Sequence, residues 1–526
     1  MKKFLGEKWL AKIERILPLI IVVMGALIRL ICLGSVPGGS FQDEAFVAWN
    51  AYGLWTDGMD SAGNHWPVYM ADWGDGHSAL YCWLLVPFYA IVGKAGINRF
   101  VIRLPQVIIG TLTLVAVYYL FKYMFGRKQG IWALFMLAIC PWHITMCRWA
   151  LDANLAPAFL IFGLVFFVKG LENKKFLLVS AILYGLSLYC YAVIWPIVPL
   201  MLLLQIIYGL YHKKLSINRW SVCSAVVLGI MALPLLLFLV VNSTGTPIKL
   251  PFMTIPVMGS YRANDLAINL PEMWSNFRRV ITLLARQNIG LSHDILLPHG
   301  LFYDIGRVFI VVGFVALVVK MVKKLIKKEF AYEVFVFIQL IGAGVVCCMV
   351  YVYLHQVNCL YIPLVLCEAY GIFTVVDLLA HKGKTLQKVG AGVVVIAYLA
   401  CFVWFEIDYY TEYKDITDIT YAADTDKAVL FAMEQGDEII AEMGVQWPRI
   451  LLYTQTTPTQ YLSGVKYSNY PVPAQFSDGE NTFYMGIDFE NIQPDKVYIC
   501  YFADVHYFED FDLTPFGLWY VAVPKK

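Results

Sequence analysis

Long apolar runs separated by short charged connections occupy the chain as far as residue 407. Eleven of them lie at 16–33, 101–121, 129–146, 155–170, 176–192, 193–211, 219–241, 303–320, 332–354, 358–380 and 388–407. Apolar runs of about 17–25 residues can cross a bilayer as helices. A further run, Ala79 to Gly93, has fifteen residues and reads either as a twelfth span or as an interfacial helix. Charge decides between the two. If 79–93 does not cross, the basic connections at Lys122–Lys128, Lys169–Lys175, Lys213–Arg219, Lys320–Lys328 and Lys382–Lys388 all share the N-terminal side. That side then holds 22 of the 40 Lys and Arg residues. If it crosses, every later loop lands on the wrong side of the positive-inside rule. The pattern therefore predicts eleven spans, with 79–93 lying along the outer interface.

That parity places the N-terminus in the cytoplasm. The basic stretch Lys2, Lys3, Lys8, Lys12, Arg15 leads into Ile16–Leu33 without a convincing cleavage site, and reads as a retained first helix. Outside lie the first loop (34–100), the long loop 242–302 and everything after about Asp408. Residues 34–78 carry Asp43, Glu44, Asp57, Asp60, Asp72 and Asp75 but no Lys or Arg. Residues 408–526 hold 19 acidic against 7 basic residues. Composition agrees: 60% hydrophobic, 15% charged and mean hydropathy +0.64 exclude a purely soluble enzyme. The net charge of +2 points to no nucleic-acid partner. Most of the 12 cysteines fall in apolar runs, where each behaves as a small hydrophobe and not as part of a disulfide framework.

The tail changes character. Asp424–Met443 reads as an amphipathic helix, Arg449–Thr454 and Val497–Phe502 as short buried strands, and Trp519–Val523 as a third. The expected organisation is a polytopic membrane domain, 1–407, followed by a small α/β extracytoplasmic domain, 408–526.

Candidate chemistry gathers on the outer face. Asp43 and Glu44 follow the first span. Acids at a membrane edge are solvated, metal-bound or catalytic, because stripping water from a charge is costly; the plain alternative is that they start the helix Ala45–Trp55. Arg148 and Asp152 follow Pro141-Trp142-His143, where an interfacial turn with aromatic anchors is the ordinary reading. Asp72-Trp73-Gly74-Asp75-Gly76-His77 reads alone as a polar turn, Arg103 as a snorkelling cation, and His355-Gln356-Val357-Asn358 as a tight connection. Together, acids at 43–44, 72–75 and 152 meet Arg103, Arg148, His77 and His355 on one membrane face. Acids there can activate a hydroxyl nucleophile, and cations can hold a lipid phosphate.

The order of these features resembles the GT-C class of membrane glycosyltransferases, in particular the protein O-mannosyltransferase and aminoarabinose transferase family. The resemblance rests on Asp43-Glu44 after the first span, an interfacial helix opening Leu80-Tyr81-Cys82-Trp83-Leu84, and Arg103-Leu104-Pro105 entering the second span. The basic turn Phe125-Gly126-Arg127 and an acid after the third span complete it. Pro141-Trp142-His143-Ile144 with Arg148-Trp149-Ala150-Leu151-Asp152-Ala153-Asn154 is similar to a signature of Gram-positive bacterial relatives. The resemblance covers about 16–240 in sequence and the later spans by layout.

It implies an α-helical integral membrane protein of GT-C type in the plasma membrane, among membrane lipids. It also implies inverting transfer of one sugar from a polyprenyl-phosphate donor to a cell-envelope acceptor on the outer face. Asp43 matches the family's base or acceptor-orienting acid, Asp152 its second-loop acid and Arg103 its second-span arginine. The catalytic candidates are thus Asp43, Glu44 and Asp152. The substrate- and phosphate-binding candidates are Arg103, Arg148, His77, Asp75, His143, His355 and Asn358. His77-Ser78 stands where many relatives have Lys-Pro, and 355–358 where they often have Arg. Arg262, Arg286 and Arg307 are therefore further candidates for the carrier phosphate. A divalent metal bridging Asp43 and Asp152 through oxygen ligands is left open. Three rivals remain at this level, one of them a catalytically inactive, structural member. A lipid-linked glycan polymerase or ligase would share the chemistry, but the first-loop Asp-Glu pair favours a monosaccharide transferase. A transporter or lipid flippase would place ionisable residues in mid-membrane within repeated halves, and the spans here carry almost no Asp or Glu.

Overall fold

The computed structural model describes residues 2–73, 76–259, 266–267, 269–287, 291 and 294–525, with side chains from Arg15 onward. Every apolar run becomes helical. α1 (Lys2–Leu30) precedes α2 (Gln42–Thr56), the ribbon of β1 (Tyr69–Met70) and β2 (His77–Ser78), and α3 (Leu80–Val92). Next come α4 (Arg99–Phe125), α5 (Arg127–Ala138), α6 (Pro141–Met146), α7 (Ala156–Gly170), α8 (Phe176–Ser187), α9 (Ile194–Tyr211) and α10 (Arg219–Thr244). A second ribbon, β3 (Ile248–Lys249) with β4 (Thr254–Ile255), and α11 (Leu270–Arg286) fill the long loop. They lead to α12 (Asp304–Ile326), α13 (Glu333–Met349), α14 (Tyr361–Ala380) and α15 (Lys384–Tyr410).

Among the described residues, seven segments are long and apolar enough to cross a membrane: α4, 152–170, α9, α10, α12, 358–380 and α15. Three of the expected spans form shorter helices. α5 and α8 have 12 residues each and α13 has 17, about 18–25 Å at 1.5 Å per residue. The run 129–146 is broken at Pro141, which starts α6 and leaves Cys140 extended at φ −66°, ψ 122°. Proline lacks the N–H that would continue α5, and its ring disfavours helical geometry in the residue before it.

Helix-end contacts alternate along the chain. At one end, Arg103 near the start of α4 donates to the Leu33 carbonyl past α1 (3.0 Å), and Tyr303 before α12 donates to the Ile139 carbonyl past α5 (2.8 Å). At the same end Asn358, before α14, donates to the Ala153 carbonyl before α7 (2.9 Å), and Arg148 reaches the Tyr409 hydroxyl near the end of α15 (3.0 Å). At the other end, Tyr208 near the end of α9 donates to the Ala331 carbonyl (3.1 Å), and Lys324 pairs with Glu333 (3.0 Å). Both ends of α3 belong to the first end. Leu80 N donates to the Tyr189 carbonyl (3.0 Å), and the Lys94 carbonyl accepts from Gln455 (2.9 Å). α3 therefore runs across that end of the bundle.

The tail forms α16 (Glu412–Thr420), α17 (Thr425–Gln435), β5 (Glu438–Ala441), α18 (Trp447–Tyr453), α19 (Pro458–Gly464), β6 (Lys466–Asn469) and β7 (Val472–Ser477). β8 (Thr482–Met485), β9 (Val497–Tyr501), β10 (Phe511–Phe516) and β11 (Trp519–Pro524) complete a seven-stranded sheet. Its order is β10-β11-β9-β5-β8-β7-β6, with β5 parallel to both neighbours and the remaining pairs antiparallel. Two expectations are corrected. The helix predicted over 424–443 stops at Gln435, and β5 follows the extended Gly436. The strand predicted over 449–454 is α18. Pro448 occupies its first turn, and Ile450, Leu451 and Leu452 are all buried, a pattern in which periodicity cannot separate strand from helix.

α18 packs on α2. Trp447 lies edge-on to Phe46 and Trp49, the Trp49 indole donates to the Thr456 carbonyl (2.7 Å), and Arg449 donates to the Ser40 carbonyl (2.8 Å). One continuous apolar core joins the bundle end, α2 and the inner face of the sheet. The tail is thus a wall behind the loop that carries Asp43.

Candidate active site

Two acids at the start of α2 have opposite surroundings. Acids in a first helical turn complement the positive end of the helix dipole, so both suit that place. Glu44 is fully buried. Its two oxygens accept from Arg103 Nε and Nη2 (2.8 Å each), and Oε1 also accepts from Ala150 N (3.1 Å). The remaining Arg103 donors go to the carbonyls of Leu33 (3.0 Å), Pro37 (2.7 Å) and Gly39 (2.7 Å). With all five N–H groups used, Arg103 clamps the end of α1, the loop before α2 and α2 together. It has no donor left for a phosphate, and Glu44 has no role as a base. Both were candidate site residues, and the structure makes both scaffolding.

The other buried cations are occupied in the same way. Arg148 donates to the carbonyls of Ile28 and Arg29 (3.1 Å each) and Val36 (2.9 Å), and it lies over the Tyr409 ring at 5.3 Å. It caps the C-terminal end of α1. Arg29, which sequence reasoning passed over, donates to the carbonyls of Gly25, Leu137 and Ala138 and to His143 Nδ1 (2.6 Å). His143 must accept there, because guanidinium only donates. Asn358 ties the turn before α14 to the turn before α7. Arg148, His143 and Asn358, all substrate-binding candidates, thus each make hydrogen bonds within the scaffold. Arg286 is exposed at the end of α11, and Arg307 is half-buried and paired with Asp304 (2.6 Å). Asp75 and Arg262 lie outside the described residues.

What remains converges on Asp43. It is partly exposed and makes no hydrogen bond among the described residues. Its electrostatic neighbours are His77, His355, Asp152 and Asp72, and burial, the largest influence, raises its pKa. His77 and His355 oppose that rise, while Asp152 and Asp72 add to it. Asp152 is buried at the start of the turn before α7. Its Oδ2 accepts from Ser78 N (3.0 Å) and its Oδ1 from Ala153 N (2.7 Å). His77, buried on β2 beside the Phe46 ring at 5.2 Å, sits between two acids. Its Nε2 lies 3.3 Å from Asp72 Oδ2, and its Nδ1 3.8 Å from Asp152 Oδ2. Burial alone would lower its pKa. The Asp152 hydrogen bond and the charges of Asp72, Asp152 and Asp43 outweigh burial and push it up to about 9. His77 is thus a cation at neutral pH, and it faces carboxylates with both nitrogens.

His355, the other imidazole that acts on Asp43, is partly exposed. It is stacked on Tyr353 (5.9 Å, 7°) and edge-on to Trp149 (6.0 Å). Its Nδ1 lies 3.5 Å from Asp294 Oδ1, and the second oxygen of this buried acid has no hydrogen-bond partner among the described residues. Sequence reasoning missed Asp294, since nothing in the pattern separates it from other loop acids.

No three His, Cys, Asp or Glu side chains among the described residues converge as metal ligands. Asp152 spends an oxygen on each of two backbone amides, and the His77 cation lies 3.8 Å from its Oδ2, adding positive charge beside that carboxylate. The described residues do not fit a metal bridge between Asp43 and Asp152.

Comparison with known proteins follows this geometry. The structure overlays ArnT from Cupriavidus metallidurans in the apo state with TM-score 0.56 at 10% identity, covering 96% of this chain and 97% of that one. The same protein bound to undecaprenyl phosphate gives 0.56 at 11% identity, with the same coverage. The chain has the GT-C fold. The Archaeoglobus fulgidus oligosaccharyltransferase in the apo form, a second GT-C protein, matches with TM-score 0.52 at 12% identity over 88% of this chain and 67% of that one. Residues 76–241 match the family model described as dolichyl-phosphate-mannose-protein mannosyltransferase. A search of the curated proteins finds no match. Within this GT-C frame the helices make a multi-pass membrane protein, and the Asp43 cluster lies at the bundle end covered by the tail.

Proposed function

We propose that this GT-C protein is a glycosyltransferase. It moves one sugar from a polyprenyl-phosphate donor to a cell-envelope acceptor on the outer face of the plasma membrane, with inversion. The observation that carries the reading is the state of Asp43. It is the one acid of the first-loop pair left without a hydrogen bond among the described residues, and it is flanked by two imidazoles while its neighbour Glu44 is locked to Arg103. The basic connections gather at the far end of the bundle, so the positive-inside rule puts the Asp43 end outside. ArnT bound to undecaprenyl phosphate is a fold neighbour that supports a lipid-phosphate donor.

The chemistry is a single displacement. Asp43 takes the proton of the acceptor hydroxyl, whose oxygen bonds to the anomeric carbon as the bond from that carbon to the phosphate oxygen breaks. The electron pair leaves with polyprenyl phosphate. A base on one face of the sugar and a stabilised leaving group on the other give inversion. His77 holds Asp72 and Asp152 in place and opposes the protonation of Asp43 that burial favours. His355, positioned by Asp294, is the group left to donate to the carrier phosphate.

Purified protein in lipid, incubated with a panel of polyprenyl-phosphate sugars and an envelope acceptor fraction, should release polyprenyl phosphate from one donor and not in Asp43→Asn. Absence of release from every donor by folded protein would overturn the reading in favour of a pyrophosphate-linked donor or lipid transport.

A further inference from the structure

The tail carries a polar cavity of its own. It measures about 330 Å³ and lies over the central strands β8, β5 and β9. Residues alternate across a strand. Ile439 and Ala441 of β5 face the core shared with α2, while Glu438 and Ile440 face outward into the cavity. The cavity is therefore on the side of the sheet turned away from Asp43. Only Ile440 and Gly486 among its lining residues bring no polar side-chain atom.

Its chemistry narrows the ligand. Glu438 accepts from the Tyr484 hydroxyl (2.9 Å) with one oxygen and pairs with Lys496 through the other. Lys496 is thereby neutralised, and Asp488 adds a further negative charge to the lining, so the cavity does not suit an anion. Glu438 has both oxygens engaged, and Asp488 Oδ1 accepts from Glu490 N (3.1 Å), so the carboxylates do not make a cation cage. The side-chain amides of Asn491 and Gln493 make no hydrogen bond among the described residues, and each offers a donor and an acceptor side by side. Tyr484, half-buried in the lining, supplies an aromatic surface, while the Tyr498 ring is buried against Phe508 and Phe511. Neutral polyols need this mixture: paired donors and acceptors for hydroxyls, and an aromatic face for C–H groups. The volume sits at the small end of the ~300–1,000 Å³ range of ordinary ligand sites, enough for one or two sugar rings.

We infer that the outer face of the tail sheet binds a neutral segment of the acceptor glycan. This rests on the transferase reading above. The donor sugar must reach Asp43 on its lipid phosphate, so the far face of the sheet can serve only the acceptor. A polymeric acceptor held there gains effective concentration at the active site without any new contact to the reacting sugar.

The test uses full-length protein in lipid nanodiscs with tetramers of mannose, glucose and N-acetylglucosamine as probes in saturation-transfer NMR. One tetramer should bind, and the exposed double variant Asn491→Ala/Gln493→Ala should weaken it about tenfold. With an envelope acceptor, the variant should raise KM about tenfold for long chains at unchanged kcat, and leave transfer to a single-sugar acceptor unaltered. Unchanged binding in the variant, or binding of none of the tetramers, overturns the inference; so does equal loss with long and short acceptors. Variant-sensitive tetramer binding by a protein that transfers no sugar would uphold the cavity and sink the transferase reading instead.

Discussion

Asp43 and Glu44 are adjacent residues of one helical turn, yet Glu44 is held at 2.8 Å by both prongs of Arg103 while Asp43 makes no hydrogen bond among the described residues. Consecutive residues of a helix lie about 100° apart, so one can point into the scaffold and the other into the site. The acid pair is thus a division of labour, and it separates variants that break the fold from variants that stop the chemistry.

Asp43→Asn should lower transfer by ~10²–10⁴-fold, the usual contribution of a positioned base, at unchanged thermal stability in detergent. Asp152→Asn should lower both. An amide there must turn an N–H toward Ser78 N or Ala153 N, each of which now donates to the carboxylate. Melting curves beside initial rates distinguish the two, and a stability loss in Asp43→Asn would contradict the assignment.

Arg103→Met should cost about 3–5 kcal/mol, because it leaves Glu44 buried and unpaired. The double variant Arg103→Met/Glu44→Leu should recover part of that loss. A phosphate-binding Arg103 would instead raise the donor KM with little change in stability. Denaturation in parallel with donor titration reads out both.

The rate should rise with pH along a limb that lies above the usual carboxylate range, since burial raises the pKa of Asp43 and the base acts deprotonated. His355→Gln removes an imidazole whose electrostatic influence lowers that pKa, so the limb should move to higher pH. The donor KM should increase as well, and Asp294→Asn should repeat the KM effect in weaker form. A limb that stays in place in His355→Gln would show that His355 does not face Asp43.

His77 contributes stability while it is protonated between Asp72 and Asp152. Its pKa is raised from 6.5 to about 9 in the folded protein. The contribution is therefore complete below about 6.5 and is lost as pH rises through about 9, a few kcal/mol in all. Wild-type protein should lose stability over that interval more steeply than His77→Gln, as followed by melting temperature against pH.

Much of the architecture was legible because a bilayer imposes it. Backbone groups in hydrocarbon must be satisfied within the helix, so apolar runs at 101–121 or 388–407 admit one reading, α4 and α15. Pro141 marked a break that run-counting ignored, and the wholly buried run 449–454 gave no period to distinguish α18 from a strand. The site was legible in outline, since Asp43, Asp72, His77, Asp152 and His355 were all visible as polar residues on one face. Which of them are free was not.

By itself the sequence determined where the apolar helices lie along the chain and which acid heads α2, because hydropathy acts residue by residue. Only the tertiary structure decided that Arg29, Arg103 and Arg148 are spent on carbonyls and on Glu44, and that Asp294 stands behind His355. It alone placed the tail against α2. Hydrogen-bond satisfaction depends on partners distant in the chain, and no local pattern encodes how many donors a buried guanidinium has left.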